Sequence, residues 1–291
     1  MRVRVRLLAG PRGGHSDELH LPGYTFHLPW QASDEGKRCT CSCSACHCAP
    51  HPPILQVNDF GTDELVRLAA KGIELGLALA QGEQAPHSAA GDNGEAAAAG
   101  VEAAAAGAEA AAAGAEAAAA GRCTRLVDLF CGAGLFAVSL AATGRFASVL
   151  GLELGSDAVR SAGVNARANG VGALCRFEAT DLAFSGAPPA ALAAALAPQP
   201  PSADGSELVV VVDPPRAGLG GAMRAALRQS SARVLLYVSC DAQTLGRDVA
   251  DLCGAEGARP AFRLARATPV DLTPHAARVE TVCVLWRPSP A

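Results

Sequence analysis

Leu126-Val127-Asp128-Leu129-Phe130-Cys131-Gly132-Ala133-Gly134 decides the fold. An apolar run, Leu126 to Phe130, has strand character and breaks into a glycine turn, after which Leu135 to Ala142 follows a helical pattern. Gly-x-Gly alone reports a tight turn, because glycine adopts backbone conformations closed to other residues. Its surroundings say more. Ser148 to Leu154 reads as the next strand and ends near Glu153, about twenty residues beyond the turn, where doubly wound folds place a carboxylate against ribose hydroxyls. A solvated glutamate at a strand end is the plainer alternative.

The same alternation continues downstream. Ser156 to Asn169 reads as a helix, and Leu174 to Ala179, Leu208 to Val212 and Val234 to Val238 read as strands. Runs that are aliphatic throughout, separated by helices, indicate a parallel sheet covered on both faces. Val279 to Trp286 adds a late strand, expected to be antiparallel. The expected fold is therefore α/β, a Rossmann-like, doubly wound and mainly parallel sheet occupying residues 122–291.

Upstream, residues 1–80 form a separate section. It has short extended stretches at Arg2 to Leu8 and Tyr24 to Leu28, and an amphipathic helix over Asp63 to Leu79 carrying Leu65, Leu68, Ile73 and Leu77 at helical spacing. Between them, at about 30–53, lies an insertion holding Cys39, Cys41, Cys43, Cys46 and Cys48 with His47 and His51. Thiolates and imidazoles suit zinc, but Cys-x-Cys spacings without a second distant pair do not make a standard finger. No metal ligand is assigned. Residues 81–121 are a low-complexity linker in which Glu95, Glu102, Glu109 and Glu116 recur among alanine and glycine. These units carry no large apolar side chain to bury against a neighbour.

Half of the 291 residues are hydrophobic and the net charge is −4, which gives no global signature of a nucleic-acid partner. The bases are almost all arginine, with Lys37 and Lys71 the only lysines. Arginine suits phosphate forks and base stacking, although GC-rich coding bias is the plainer and favoured explanation of the preference. No continuous apolar leader begins the chain, and no run outside the alanine repeat approaches a membrane span. Eleven cysteines are then expected to be reduced thiols of an intracellular compartment, cytoplasmic, nuclear or organellar.

Chemistry concentrates at strand ends. Asp213 follows four valines and opens Asp213-Pro214-Pro215-Arg216, where two prolines stiffen the exit from the sheet and could present the carboxylate to a flat ring. Cys240 follows the next strand in Tyr237-Val238-Ser239-Cys240, and a loop near a helix start can lower a thiol's pKa. Cys131, Cys175, Cys253 and Cys283 lie in or beside apolar sequence and read as core thiols, with Cys131 the nearest rival nucleophile. Glu280 opens the last strand, where a carboxylate with a raised pKa can act as general base. A strand stop at Asp213 and a strand-edge glutamate at Glu280 are the plainer readings.

Four ordered motifs resemble the S-adenosylmethionine-dependent RNA uracil-5-methyltransferases: Asp128-Leu129-Phe130-Cys131-Gly132-Ala133-Gly134, Asp213-Pro214-Pro215-Arg216-Ala217-Gly218, Tyr237-Val238-Ser239-Cys240 with Thr244-Leu245 and Arg247-Asp248, and His275 with Val279-Glu280-Thr281-Val282. Gln56-Val57-Asn58 extends the resemblance upstream. It implies a class I methyltransferase domain that takes S-adenosylmethionine and acts on uridine C5 in tRNA or rRNA. Gln56, Phe130, Glu153, Asp181 and Asp213 would line the cofactor and substrate site, Cys240 would be the nucleophile and Glu280 the base. Asp241-Ala242 replaces the family's usual Asn-Pro, Leu135 stands where a small or polar residue is common, and Arg278 replaces a frequent histidine. The family's N-terminal RNA-binding barrel and iron–sulfur cysteines are not visible, and a truncated gene or a separate RNA-binding partner would each account for that. Two other readings stay open: a cytosine-5 or small-molecule methyltransferase on the same fold, and a catalytically inactive RNA-binding remnant.

Overall fold

The computed structural model describes residues 4–6, 20–22, 59–82, 124–198, 207–254, 261–272 and 279–288. Gln56, the cysteine-rich insertion, Tyr24 to Leu28, the alanine repeat, His275 and Arg278 lie outside the described residues. Two short strands, β1 (Arg4–Arg6) and β2 (His20–Pro22), pair with each other as an antiparallel ribbon. The main sheet has seven strands: β3 (Arg125–Leu129), β4 (Ser148–Glu153), β5 (Cys175–Ala179), β6 (Leu208–Val212), β7 (Ala232–Ser239), β8 (Arg263–Val270) and β9 (Glu280–Trp286). Their order across the sheet is β5-β4-β3-β6-β7-β9-β8. The first five are mutually parallel, whereas β9 runs antiparallel to both β7 and β8.

Every residue of β6 is buried, as its four consecutive valines require. The two-residue period of the strand splits them between two cores. Val209 and Val211 face the core that holds Leu65 and Ile73 of α1 (Asp59–Ala80) and Phe136 and Leu140 of α2 (Leu135–Ala141). The same core takes Ala166 of α3 (Ser156–Ala168). Leu208, Val210 and Val212 face the other core, with Leu192 and Leu196 of α4 (Ala190–Leu196), Met223 and Leu227 of α5 (Gly221–Gln229), and Leu245 and Leu252 of α6 (Ala242–Leu252). A sheet with a core on each face is the doubly wound arrangement expected.

Among the described residues, elements read from the sequence recur with ends moved by a few residues, and β2, α4, α5, α6 and β8 are further elements that the sequence pattern does not delimit. β8 is a second antiparallel strand at the sheet edge, with residues that are mostly exposed or half-buried. Its sequence, Arg-Leu-Ala-Arg-Ala-Thr-Pro-Val, shows neither an aliphatic run nor strict alternation, because an edge strand has little apolar surface to hide.

Helix α1 lies across β7 and β9 at very short range. A Cβ built on Gly76 would stand 2.7 and 2.9 Å from the two methyls of Val234, and one on Gly72 would stand 2.7 Å from Val284 Cγ2. Glycine lets the helix backbone approach, and Leu65, Ala69 and Ile73 then bury fully against the sheet. Gly76→Ala is therefore expected to lower stability by about 1–3 kcal/mol through overpacking. A urea melt should show a lower midpoint at an unchanged slope. Adding Val234→Ala should recover part of that loss, because the methyls it removes are those the new Cβ meets. Single losses that simply add would show that the two positions do not compete for space.

Candidate active site

Parallel strands deliver their carboxyl ends to one edge, and the strand order reverses between β3 and β6, the place where open α/β sheets bind ligands. Leu129 is in register with Leu152 on one side and Val212 on the other, so Phe130, Glu153 and Asp213 emerge together. Antiparallel β9 brings its amino end to the same edge. Thr281 pairs with Ser239, which sets Glu280 level with Cys240. Five of the residues singled out in the sequence thus share one rim.

On the β3–β4 side the turn is held under constraint. Phe130 has φ of 63°, the left-handed region that a bulky residue occupies only under strain, and it is the sole non-glycine residue there among the described residues. Both oxygens of Glu153 are engaged: Oε2 accepts from Gly132 N–H at 3.2 Å and Oε1 from Gly155 N–H at 3.0 Å. Asn165 of α3 donates from Nδ2 to Ala133 O at 2.8 Å. Beneath the turn, the fully buried Asp128 accepts from Ala137 N–H at 2.9 Å through Oδ2, while Oδ1 has no partner. Burial pushes the Asp128 carboxyl well above the usual range against that hydrogen bond, and nearby Asp213 and Glu153 add to the rise.

On the β6–β7 side the groups are coupled through their charges. Burial lifts the Asp213 carboxyl to about 7, with Glu280 contributing to the rise. Glu280 is itself raised by burial, with the Arg216 guanidinium acting against the rise. Burial also raises the Cys240 thiol; Glu280 and Asp213 add to this, whereas the charge of Arg216 and its side-chain hydrogen bond to the thiol oppose it. Cys240 remains half-buried and accessible. Cys131, the rival thiol, is buried, and burial with Asp128 and Glu153 drives it far up. Burial likewise pushes Cys175 up to about 12 and Cys283 to about 11.

What fixes the loop after β6 against the helix after β7 is Asp248, whose side chain is wholly buried. Its Oδ2 accepts from Leu219 N–H and from the Tyr237 hydroxyl, each at 2.7 Å. Its Oδ1 accepts from Arg247 Nε at 2.9 Å and Arg224 Nη1 at 3.1 Å. Arg224 and Arg228 continue the network to Asp251. Gly218 turns the loop at φ of 70°, and a Cβ there would stand 2.5 Å from Asp248 Oδ2. Asp241, where the family usually has asparagine, caps α6: Oδ1 accepts from Gln243 N–H at 3.0 Å and Thr244 N–H at 2.9 Å. Aspartate and asparagine cap equally well, so this departure keeps the helix start intact.

Asp181 stands apart from these groups, exposed beyond the end of β5, where its Oδ1 accepts from Ala183 N–H at 2.8 Å. Arg216, Asn165, Tyr237 and Asp248 received no role from the sequence. Arg216, Tyr237 and Asp248 lie within its motifs, but nothing in a linear string tells a buried carboxylate from an exposed one. Among the described residues, no three His, Cys, Asp or Glu side chains converge as metal ligands, and no helix is long and apolar enough to cross a membrane.

A family model described as tRNA (Uracil-5-)-methyltransferase matches residues 112–287. A 23S rRNA (uracil(1939)-C(5))-methyltransferase of Pseudomonas aeruginosa is 38% identical over 160 residues, covering 55% of this chain and 31% of that one. A 23S rRNA (uracil(747)-C(5))-methyltransferase of Pasteurella multocida is 31% identical over 169 residues, covering 56% and 39%. The chain thus spans 31–39% of the length of these curated relatives. Among solved structures, the tRNA (uracil-54, C5)-methyltransferase of Pyrococcus abyssi, in complex with S-adenosyl-L-homocysteine, aligns with a TM-score of 0.43 at 25% identity, covering 61% of this chain and 38% of that one.

Two outcomes follow from this geometry. Tyr237→Phe is expected to cost about 1.5–3 kcal/mol through loss of a hydrogen bond to a charged group, and Asp248→Ala about 3–5 kcal/mol, because it strands buried donors. Denaturant melts that left Asp248→Ala at the parent's midpoint would remove the network from any account of the loop. The second outcome concerns pH. Because the Asp213 carboxyl rises from 3.8 to about 7, the folded chain keeps a proton that the unfolded chain releases across that window. The stability so contributed is complete below the unfolded value and is lost as pH climbs to the folded one. Asp213→Asn should therefore lose less stability than the parent between about pH 4 and about pH 7, and equal losses in pH-dependent melts would contradict the raised carboxyl.

Proposed function

The chain belongs to the tRNA (uracil-5-)-methyltransferase family, and from that premise we propose that it methylates C5 of uridine in RNA, tRNA or rRNA, through a covalent bond between Cys240 and C6. The observation that carries this reading is the accessible thiol of Cys240 level with the Glu280 carboxyl on the neighbouring antiparallel strand, beside Asp213. A thiol and a carboxyl converging on one ring are what addition and elimination at adjacent carbons require.

The family's cofactor is S-adenosylmethionine, and the residues around the glycine turn fit it. A Cβ on Gly132 would meet nothing within 4 Å, so the outer face of the turn is open. Glu153 keeps acceptor capacity for ribose hydroxyls, since a carboxylate oxygen can accept more than the one backbone N–H that each of its oxygens takes here. Phe130 and Asp213 border the same opening, and Gln56 and Asp181 complete the set that the family resemblance assigns. When bound, the cofactor supplies an electrophilic methyl group.

The residues of the chain then act on the base. Uracil C5 is a weak nucleophile. As Cys240 Sγ bonds to C6, the C5=C6 π electrons move toward O4, and the enolate so formed makes C5 reactive. Asp213, with its carboxyl near 7, stands in its protonated and ionised forms around neutral pH and can hydrogen-bond the ring's O4 or N3–H accordingly. Once C5 carries the methyl group, Glu280 takes the remaining C5 proton, C5=C6 re-forms, and Sγ leaves as thiolate. Burial favours the neutral form of Glu280, which suits a base that must accept a proton and hold it. The target must be reached edge and face together, so the uridine is unstacked or lies in a single-stranded loop.

Incubating the full chain with S-adenosylmethionine and 5-fluorouridine RNA tests the reading, because fluorine at C5 cannot leave as a proton. A covalent protein–RNA band on a denaturing gel is expected for the parent and absent for Cys240→Ala. Glu280→Gln should accumulate the same band on ordinary uridine RNA. Equal bands from parent and Cys240→Ala would overturn the mechanism, and no methyl transfer to any uridine RNA would overturn the function.

A further inference from the structure

Between Asp213 and Leu219 the chain runs from the sheet toward α5 in no regular element, yet its backbone is held at several steps. Asp213 N–H donates to Leu129 O at 3.4 Å and Leu219 N–H to Asp248 Oδ2 at 2.7 Å, which anchors the two ends. Gly218 N–H donates to Pro215 O at 2.8 Å and closes a turn between them. The next two carbonyls are taken by side chains of α6: Arg216 O accepts from Thr244 Oγ1 at 3.1 Å, and Ala217 O from Arg247 Nη2 at 2.9 Å. Thr244 and Arg247 are three residues apart and so share one face of the helix.

Of the two, Arg247 holds the loop more firmly. A hydroxyl has one proton to give, and Thr244 Oγ1 stands within reach of two further acceptors, Asp241 Oδ1 at 3.1 Å and Asp241 O at 3.3 Å. A guanidinium offers several N–H donors in a planar fork. Arg247 Nη2 also reaches Leu219 O at 3.5 Å, and its Nε donates to Asp248 Oδ1 at 2.9 Å. The loop comes so close that a Cβ on Gly218 would stand 2.8 Å from Arg247 Nη2. The Arg247 side chain is nevertheless 50% exposed, and without it Asp248 keeps Leu219 N–H, the Tyr237 hydroxyl and Arg224 as donors. The buried network therefore survives the loss of this side chain, whereas Ala217 O loses the donor that ties it to α6.

We propose that Arg247 is a positioning residue: it sets the spacing between the loop that carries Asp213 and the helix that starts just after Cys240, and thereby the rate at which a bound uridine is attacked. This rests on the proposed roles of Cys240 as nucleophile and Asp213 as a partner of the base. From Arg247 the connection to Cys240 is short, since Asp241 caps α6 and its own N–H donates to Ser239 Oγ at 3.1 Å, joining the helix start to the end of β7. Toward Asp213 the connection is stiff, because Pro214 and Pro215 fix the backbone between the carboxyl and the latched turn. Attack at C6 requires sulfur and ring to meet in one geometry, and a misplacement of about 1 Å can cost about a hundredfold in rate. The glycine turn and Glu153 are held by hydrogen bonds of their own, none of which involves Arg247. Loss of Arg247 should therefore slow attack and leave cofactor binding alone.

The test takes two readings on the full chain. In Arg247→Ala, amide hydrogen exchange of the peptide spanning residues 214–220 should quicken about tenfold, the size expected when one hydrogen bond no longer opposes local opening. The peptide spanning residues 130–134 should exchange as in the parent. With saturating S-adenosylmethionine and 5-fluorouridine RNA, the rate constant of covalent trapping should fall about 10–100-fold. The dissociation constant of S-adenosylmethionine and the RNA concentration giving half the maximal rate should stay within about twofold of the parent's, the pattern of an interaction that acts on the attack itself. Arg247→Lys, which keeps the charge and loses the fork, should fall between parent and Arg247→Ala, and it decides the matter if Arg247→Ala does not fold. Unchanged exchange at 214–220 overturns the proposal with or without RNA. Faster exchange with an unchanged trapping rate overturns the positioning role while the proposed function stands, and so does slower trapping matched by an equal loss of cofactor affinity, which is the mark of a general support of the fold. A parent chain that traps no RNA overturns the role proposed for Cys240, and the positioning role falls with it.

Discussion

Asp248 sets the terms for everything around the candidate nucleophile. Its carboxylate is out of water, and such a group survives only where donors surround it. Here the donors come from four places: Leu219 N–H from the loop after β6, the Tyr237 hydroxyl from β7, and the Arg224 and Arg247 side chains from α5 and α6. The loop that carries Asp213 and Arg216 is therefore tied to the strand and the helix that meet at Cys240. Because a half-satisfied buried carboxylate is worse than an apolar core, the network tolerates one arrangement of these elements and not a range of them. Gly218 belongs to the same constraint, since a side chain there would occupy the space of Asp248 Oδ2.

A second consequence of this fastening is electrostatic. The rim gathers Asp128, Glu153, Asp213 and Glu280, and burial makes them felt by their neighbours. An ionised carboxylate there would favour a cation such as a sulfonium and oppose a thiolate, and burial drives Asp128, Asp213 and Glu280 toward their neutral forms. Asp128 and Glu153, at the glycine turn, accept from backbone N–H groups, whereas Asp213 and Glu280 stand on the thiol side.

Much of this was legible in the sequence. Four consecutive valines read as a strand covered on both faces, and a glycine turn followed by a helix and then Glu153 reads directly as the binding edge. Local patterning reveals periodicity and strand ends, and the carboxylates happened to sit at strand ends. Edge strand β8 was not legible, because exposure on its free side leaves its composition without the alternation that marks half-buried strands. Asp248 and Tyr237 were not legible as partners, since eleven residues separate them and only the packing of α6 against the sheet makes them meet. Arg216 was visible as a letter in a motif. What the sequence did not show is that its carbonyl accepts from Thr244 Oγ1 in the first turn of α6, since that meeting depends on how the loop packs against the helix.

The Asp241-Ala242 departure takes on a different meaning once the helix start is described. Sterically it changes little, because Asp241 caps α6 through the same pair of backbone N–H groups that an asparagine would use. Electrically it changes more. A helix amino end carries partial positive charge that can steady a thiolate just before it, and a carboxylate at the cap absorbs part of that field. The hydrogen bonds that hold Asp241 as an anion keep its pKa low, so it stays charged wherever the site would work. The helix start would therefore give a thiolate at Cys240 less help than it would with asparagine at its cap.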